Sequence, residues 1–348
     1  MSVSNAVEQL DAKVLEAYLS QHLDGFKGPV KASKFSGGQS NPTFKLDTPT
    51  QSYVLRRQPP GKLLKSAHAV DREFKVIAAL QDSAVPVAKV YHLCEDSTVI
   101  GSMFYIMEYV EGRVFWDSAL PEVSDNSVRS LMYQQMVDVL VALHSVDIEK
   151  VGLSDYGRSG NYFERQFSRW SQQYILSETH AIPEMNALIK WLEQHLPADD
   201  GRVSLVHGDY RMDNLMFHPS EAKIVAVLDW ELSTLGHPFA DLAYQCMQLR
   251  LPENVGKATG LGGIDRQSLG IPSEQEYVAT YCRAMGIEKI VNWNFYLAFS
   301  FFRLAAIAQG VAKRAQEGNA SNKEAIKIGA IVQPLAQYAL KLTANNPI

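Results

Sequence analysis

Apolar residues recur near the start of the chain at Leu10, Val14 and Tyr18, with Asp11, Lys13 and Glu16 between them. A recurrence of four returns to one side of a helix, so the segment predicts an amphipathic helix whose apolar face carries those three. Short β-rich runs follow at Val30 to Phe35, Thr43 to Leu46 and Ser52 to Arg56, separated by turn residues, and predict an antiparallel sheet. A helix is expected to open at Ser66 as N-cap and to run through Val70, Phe74, Ile77 and Leu80 before Pro86. Two more strands are expected around Lys89 to Leu93 and Met103 to Tyr109. From Asn126 the period becomes helical, with amphipathic stretches near 127–144, 161–176, 184–195, 274–285, 293–316 and 321–343. The chain thus reads as an α+β protein with a β-rich lobe over 1–108 and a helical lobe over 109–348, joined near Glu108 to Gly112.

Composition narrows the class. At 348 residues, with 46% hydrophobic and 20% charged positions, the chain can bury a large core, and neither disorder nor a fibre is indicated. A net charge of −5 without a basic stripe argues against nucleic-acid binding. Cys94, Cys246 and Cys282 are odd in number and lie far apart, which predicts buried thiols in a reducing compartment. The N-terminus shows no basic region followed by an apolar core, so a cytoplasmic protein is expected. The most apolar run, Phe295 to Val311, contains Arg303 and Gln309 and predicts a bundle helix, not a membrane span.

The chemistry is concentrated at His207-Gly208-Asp209-Tyr210-Arg211-Met212-Asp213-Asn214, which follows the apolar run Val203 to Val206. The pattern H-G-D-x-x-x-x-N resembles a kinase catalytic loop, in which the aspartate accepts the proton of the acceptor hydroxyl and the asparagine binds magnesium. Asp209 and Asn214 have that spacing. A second apolar strand, Ile224 to Leu228, ends in Asp229, where a carboxylate can face the metal. Leu215-Met216-Phe217 supplies the short strand between them.

With Gly236-His237-Pro238 and Asp241-Leu242-Ala243 downstream, the segment Val206 to Ala243 resembles the aminoglycoside phosphotransferase family, which includes choline- and homoserine-kinase-type enzymes. The resemblance implies a protein-kinase-like two-lobed fold, with ATP and Mg²⁺ between the lobes and a small-molecule hydroxyl as acceptor. Asn214 and Asp229 would hold the metal. Gly37, Gly38 and Ser40 would form the loop over the nucleotide, although the same residues suit a plain hairpin turn. Arg56 stands where protein kinases have a strand lysine and would hold the phosphates, paired with Glu73 or with Asp71. Glu108 and Val110 would meet adenine through the backbone. Arg211 would neutralise charge on the γ-phosphate or on the acceptor, or else pair with Asp213 or Asp241. His207 would orient the loop. The missing H-R-D, D-F-G and A-P-E motifs disfavour a protein substrate.

Residues 242–348 hold 11 Lys and Arg against 7 Asp and Glu, a surplus unlike the acidic wall expected for polycationic aminoglycosides. Arg303, Arg165 and Arg169, close in sequence to aromatic residues, would suit an anionic acceptor. The chain is most similar to the branch of the family associated with acyl-CoA dehydrogenases, which implies a hydroxyacyl-CoA acceptor. True aminoglycoside phosphorylation is the alternative enzyme reading. An ATP-binding scaffold without catalysis is the alternative of another class.

Overall fold

The structure is a computed structural model and describes residues 10–35, 41–59, 68–158, 160–252, 260–317 and 328–344. Five antiparallel strands build the first lobe: β1 (Lys31–Lys34), β2 (Thr43–Asp47), β3 (Ser52–Arg57), β4 (Val90–Cys94) and β5 (Phe104–Glu108), in the order β1-β2-β3-β5-β4. The pleat sends alternate side chains to opposite faces. Tyr53 and Leu55 of β3, with Phe104 and Ile106 of β5, join a small core closed by α1 (Ala12–His22). Tyr105 points the other way, into the main core with α2 (Val70–Leu80). Arg56 is opposite Tyr105 in the register, so the alternation that buries Leu55 aims Arg56 at α2.

After β5 the chain pairs β6 (Arg113–Val114) with β8 (Leu215–Phe217), and β8 with β9 (Ile224–Val227). It also pairs β7 (Ser204–Val206) with β10 (Thr234–Gly236). Around these short ribbons pack α3 (Asn126–His144), α4 (Tyr162–Ser177), α5 (Pro183–Gln194), α6 (Phe239–Gln248), α7 (Glu274–Ala284), α8 (Trp293–Gln316) and α9 (Val332–Ala344). Local signals start several of them. Asp125 and Asn161 cap α3 and α4, Pro183 opens α5, and Ser273 with Glu276 forms a capping box on α7. The two-lobed α+β architecture is the expected one.

Some expectations need correction and others hold. In α1 the fully buried residues are Leu15 and Leu19, while Val14 is 43% exposed, so the apolar face is rotated from the one anticipated. The second helix begins at Val70 after Ala69, later than a cap at Ser66 requires, and Ser66 itself lies outside the described residues. The last helix is described from Val332, after a 3₁₀ turn at Gly329–Ile331. Helix α8 is long and apolar enough to span a membrane, but 83% of its most apolar window is buried inside the protein. All three cysteines are buried and free.

Candidate active site

Arg56 reaches from the sheet across to both lobes. Its Nε donates to Glu73 Oε2 at 2.7 Å, and its Nη2 donates to Asp229 Oδ1 at 2.6 Å. Glu73, fixed on α2, also accepts from Asn41 Nδ2 at 2.6 Å and from the Tyr105 hydroxyl at 3.2 Å. Burial raises the Glu73 pKa, and Arg56 draws it part of the way back. Burial opposes the Arg56 charge in turn, yet Glu73 and Asp229 outweigh it and hold its pKa above the ordinary value. The helix carboxylate that meets Arg56 is Glu73, not Asp71.

The catalytic-loop candidate begins as β7 ends. Gly208 has φ +84°, and a Cβ there would lie 2.6 Å from the Leu232 carbonyl oxygen, so only glycine fits this turn. His207 is fully buried. Its Nε2 donates to the Leu228 carbonyl at 2.8 Å, while its Nδ1 accepts from the Asp209 amide at 3.2 Å. This one ring therefore ties the Asp209 turn to the strand end that precedes Asp229. Asn214 Nδ2 donates at 2.8 Å to both the carbonyl and the Oδ2 of Asp209, and the Leu228 amide donates to the Asn214 carbonyl at 2.8 Å. Tyr210 anchors the loop on α3 by donating to the Met136 carbonyl at 2.8 Å. Asp229 itself has φ 62°, ψ 64°, a left-handed conformation that aspartate tolerates better than most residues do.

Arg211 lies 3.4 Å from Asp209 Oδ1 and 3.1 Å from Asp213 Oδ2, so it pairs within its own loop and not with Asp241. Its pKa stands above the ordinary value because Asp209 and Asp213 outweigh the burial that opposes its charge. Asp241, at the start of α6, accepts instead from the backbone amides of His207 at 2.7 Å and Gly208 at 2.8 Å. Burial would raise its pKa, but His144, His207 and the Gly208 amide hold it below the usual 3.8. Tyr244, a helical turn further on, is buried with its hydroxyl facing the Asp209 carboxylate, and both features raise its pKa. The sequence offered Asp241 only as a possible partner of Arg211, within the D-L-A triplet after the strand, and gave Tyr244 no role.

The structure therefore brings together Asp209, Arg211, Asn214, Asp229, Arg56 and Glu73. Gly37, Gly38 and Ser40 lie outside the described residues. Glu108 closes β5, its amide donating to the Lys89 carbonyl at 2.7 Å and its carboxylate accepting from the Lys89 amide at 3.3 Å; Val110 is half-buried just beyond. Of the three acceptor-side arginines, Arg303 is buried against Tyr244 and Trp170. Arg165 donates to the Gly160 carbonyl and lines a cavity of about 220 Å³ with Tyr162, Leu235 and His237. Arg169 is exposed over the Trp170 ring, 5.3 Å from its centroid.

The donors suit magnesium. Asn214 spends its amide nitrogen on Asp209, which leaves its oxygen for a ligand, and the Asp229 side chain is 37% exposed beside Arg56. Both are hard oxygen donors, and a magnesium ion commonly takes only one or two protein ligands, completing its shell with phosphate oxygens and water.

A loop carboxylate and a strand-end aspartate, the latter paired with an arginine from a five-stranded sheet, make a candidate site of the kind the kinase-like fold implies. The chain belongs to the phosphotransferase enzyme family, whose model matches residues 31–274. It is 47% identical to mouse acyl-CoA dehydrogenase family member 10 over 94% of this chain and 30% of that protein. It is 45% identical to human acyl-CoA dehydrogenase family member 11 over 97% of this chain and 44% of that protein. The chain thus spans less than half the length of these relatives. Among solved structures, a Ralstonia eutropha protein described as a candidate aminoglycoside phosphotransferase is 48% identical, with a TM-score of 0.87 over 97% of this chain and 99% of that one. A thermostable mutant of aminoglycoside phosphotransferase APH(4)-Ia, in ternary complex with AMP-PNP and hygromycin B, shares the fold at 16% identity and a TM-score of 0.61, over 96% of this chain and 100% of that one.

Proposed function

We propose that the protein transfers the γ-phosphoryl group of ATP, with Mg²⁺, to a hydroxyl of a small molecule, and that the acceptor is a hydroxyacyl-CoA. The observation that carries the reaction is the Asp209 carboxylate, held by Asn214 and Arg211 and tied through His207 to the strand end that precedes Asp229, which pairs with Arg56. In the lobe over residues 1–108, Arg56 holds the phosphates and Glu73 holds Arg56, with the backbone of Glu108 and Val110 meeting adenine and Gly37, Gly38 and Ser40 over the phosphates. Asp209 accepts the acceptor's proton as its oxygen bonds to the γ-phosphorus and the bond to the ADP oxygen breaks. Arg211 offsets negative charge at the same point. Bound by Asn214 and Asp229, the metal would neutralise phosphate charge. Positioning of this kind, more than covalent chemistry, accounts for most of the rate in phosphoryl transfer.

The acceptor class is supported by the relatives named for acyl-CoA dehydrogenases and by the cationic surplus after residue 242. An aminoglycoside acceptor is the second reading, favoured by the description of the 48% identical structure. The test is an ADP-release assay over hydroxyacyl-CoA esters, hydroxy acids, choline and kanamycin, with Asp209→Asn alongside. Turnover should fall roughly 10²–10⁴-fold in the variant, the range for a positioned general base, while Mg·ATP affinity is kept. Unchanged turnover removes Asp209 from its role, and robust kanamycin turnover without any response to CoA esters replaces the acceptor.

A further inference from the structure

Three arginines are buried among the described residues: Arg57, Arg129 and Arg303. Arg57 donates to the Ile100 carbonyl, and Arg129 donates to the carbonyls of Val123 and Leu269. Arg303 has neither a hydrogen bond nor an ion pair to the described residues. It is 7% exposed, and its Nε is wholly buried without a partner. Its neighbours are rings: its guanidinium carbon is 5.2 Å from the Tyr244 centroid and 5.6 Å from that of Trp170. Ring faces offset only part of the cost of removing a guanidinium from water, so a charge buried without a counter-ion is an expense that a structural role does not explain.

The surroundings say what is missing. Arg303 comes from α8, Trp170 from α4 and Tyr244 from α6, and the Tyr244 ring that faces Arg303 carries the hydroxyl that faces Asp209. The guanidinium therefore stands one tyrosine away from the proposed base. The Tyr162 hydroxyl nearby feels the positive charges of Arg303, Arg165 and Arg169 and the negative charge of Asp241, whose oxygens already accept from the amides of His207 and Gly208. Arg303 is thus a buried cation with no ion-pair partner among the described residues.

We infer that Arg303, walled by Trp170 and Tyr244, is the subsite that takes an anionic oxygen group of the acceptor, and that Tyr244 is a positioning residue coupling that subsite to Asp209. The inference rests on the reading of Asp209 as the base and adds how the acceptor is selected. A guanidinium fork matches a carboxylate or a phosphate with two parallel N–H donors, whereas a neutral polyol or a cationic sugar offers it no charge. Both the carboxylate of a free hydroxy acid and a phosphate of a CoA ester have that chemistry.

The experiment titrates the whole chain, saturated with Mg·AMP-PNP, with straight-chain hydroxy acids and with their CoA esters, by calorimetry. Arg303→Met, Arg303→Lys and Tyr244→Phe are run alongside, and transfer is assayed with ATP. Expected is wild-type binding of at least one series, weakened about tenfold or more in Arg303→Met, as loss of a charge-assisted pair implies. Arg303→Lys should regain part of that loss, and AMP-PNP affinity should be unchanged in all variants. Arg303→Met should melt no lower than the wild type, since it removes an unpaired buried charge; a purely structural arginine would lower the Tm. Tyr244→Phe should lower turnover and shift its pH profile with little change in acceptor affinity. Binding of the acids identifies the carboxylate as the group read, and binding of the esters alone identifies the phosphate. The subsite is overturned if neither series binds, if Arg303→Met binds as tightly as the wild type, or if its Tm falls. Binding through Arg303 without any transfer keeps the subsite and removes the phosphotransfer reading of Asp209.

Discussion

Asp241 takes no part in the proposed chemistry, yet the candidate catalytic loop hangs from it. Two backbone amides, those of His207 and Gly208, point at one fully buried carboxylate. Asparagine has a single acceptor oxygen and would set an NH₂ against one of them, so Asp241→Asn should cost about 2–3 kcal/mol, the scale of a charged hydrogen bond lost with a buried donor stranded. Because the folded pKa lies below 3.8, the Asp241 contribution is complete above about pH 4. It drains away as pH falls below 3.8 through the folded value. The variant should therefore be less stable than the wild type at pH 7 in urea titrations, with the gap narrowing under strong acid; a gap independent of pH would contradict this account. The sequence nominated Asp209, Asn214 and Asp229 for the proposed reaction by their spacing. It did not disclose the roles of Asp241 and Tyr244, because a side chain that serves a distant backbone or a neighbouring carboxylate obeys no fixed offset.

Among the elements, the least legible was α6. All ten residues of Phe239–Gln248 are buried, and a helix without an exposed face has no apolar period to read. α1 was legible as a helix but not in its rotation, since Leu10, Val14 and Tyr18 share a period with Leu15 and Leu19 and only the sheet decides which set turns inward. The β7 to loop turn yields a sharper test. Gly208→Ala would adopt a left-handed backbone at about 1–2 kcal/mol and place its Cβ against the Leu232 carbonyl. The Tm should fall and turnover should collapse together, because the displaced peptide carries the Asp209 amide that His207 holds. Normal turnover in a folded Gly208→Ala protein would show that the turn is not part of the site.

At the scale of the whole molecule, the polar contacts between the two lobes include the Val227 amide on the Pro86 carbonyl at 2.8 Å and Arg56 on Asp229 at 2.6 Å. The second occupies one oxygen of a proposed metal ligand. Manganese titrated without nucleotide should therefore bind weakly to the wild type and more tightly, by severalfold or more, to Arg56→Ala, as judged by electron paramagnetic resonance. Equal affinities would show that Arg56 does not compete for Asp229. If it does compete, the kinetics acquire a direction. A bare cation arriving first meets a site already spoken for, whereas a nucleotide brings phosphates that draw the arginine aside and its own ion to take the vacated carboxylate. Charging would then be ordered, with ATP and metal entering as one unit, and the empty enzyme would make a poor sponge for free magnesium.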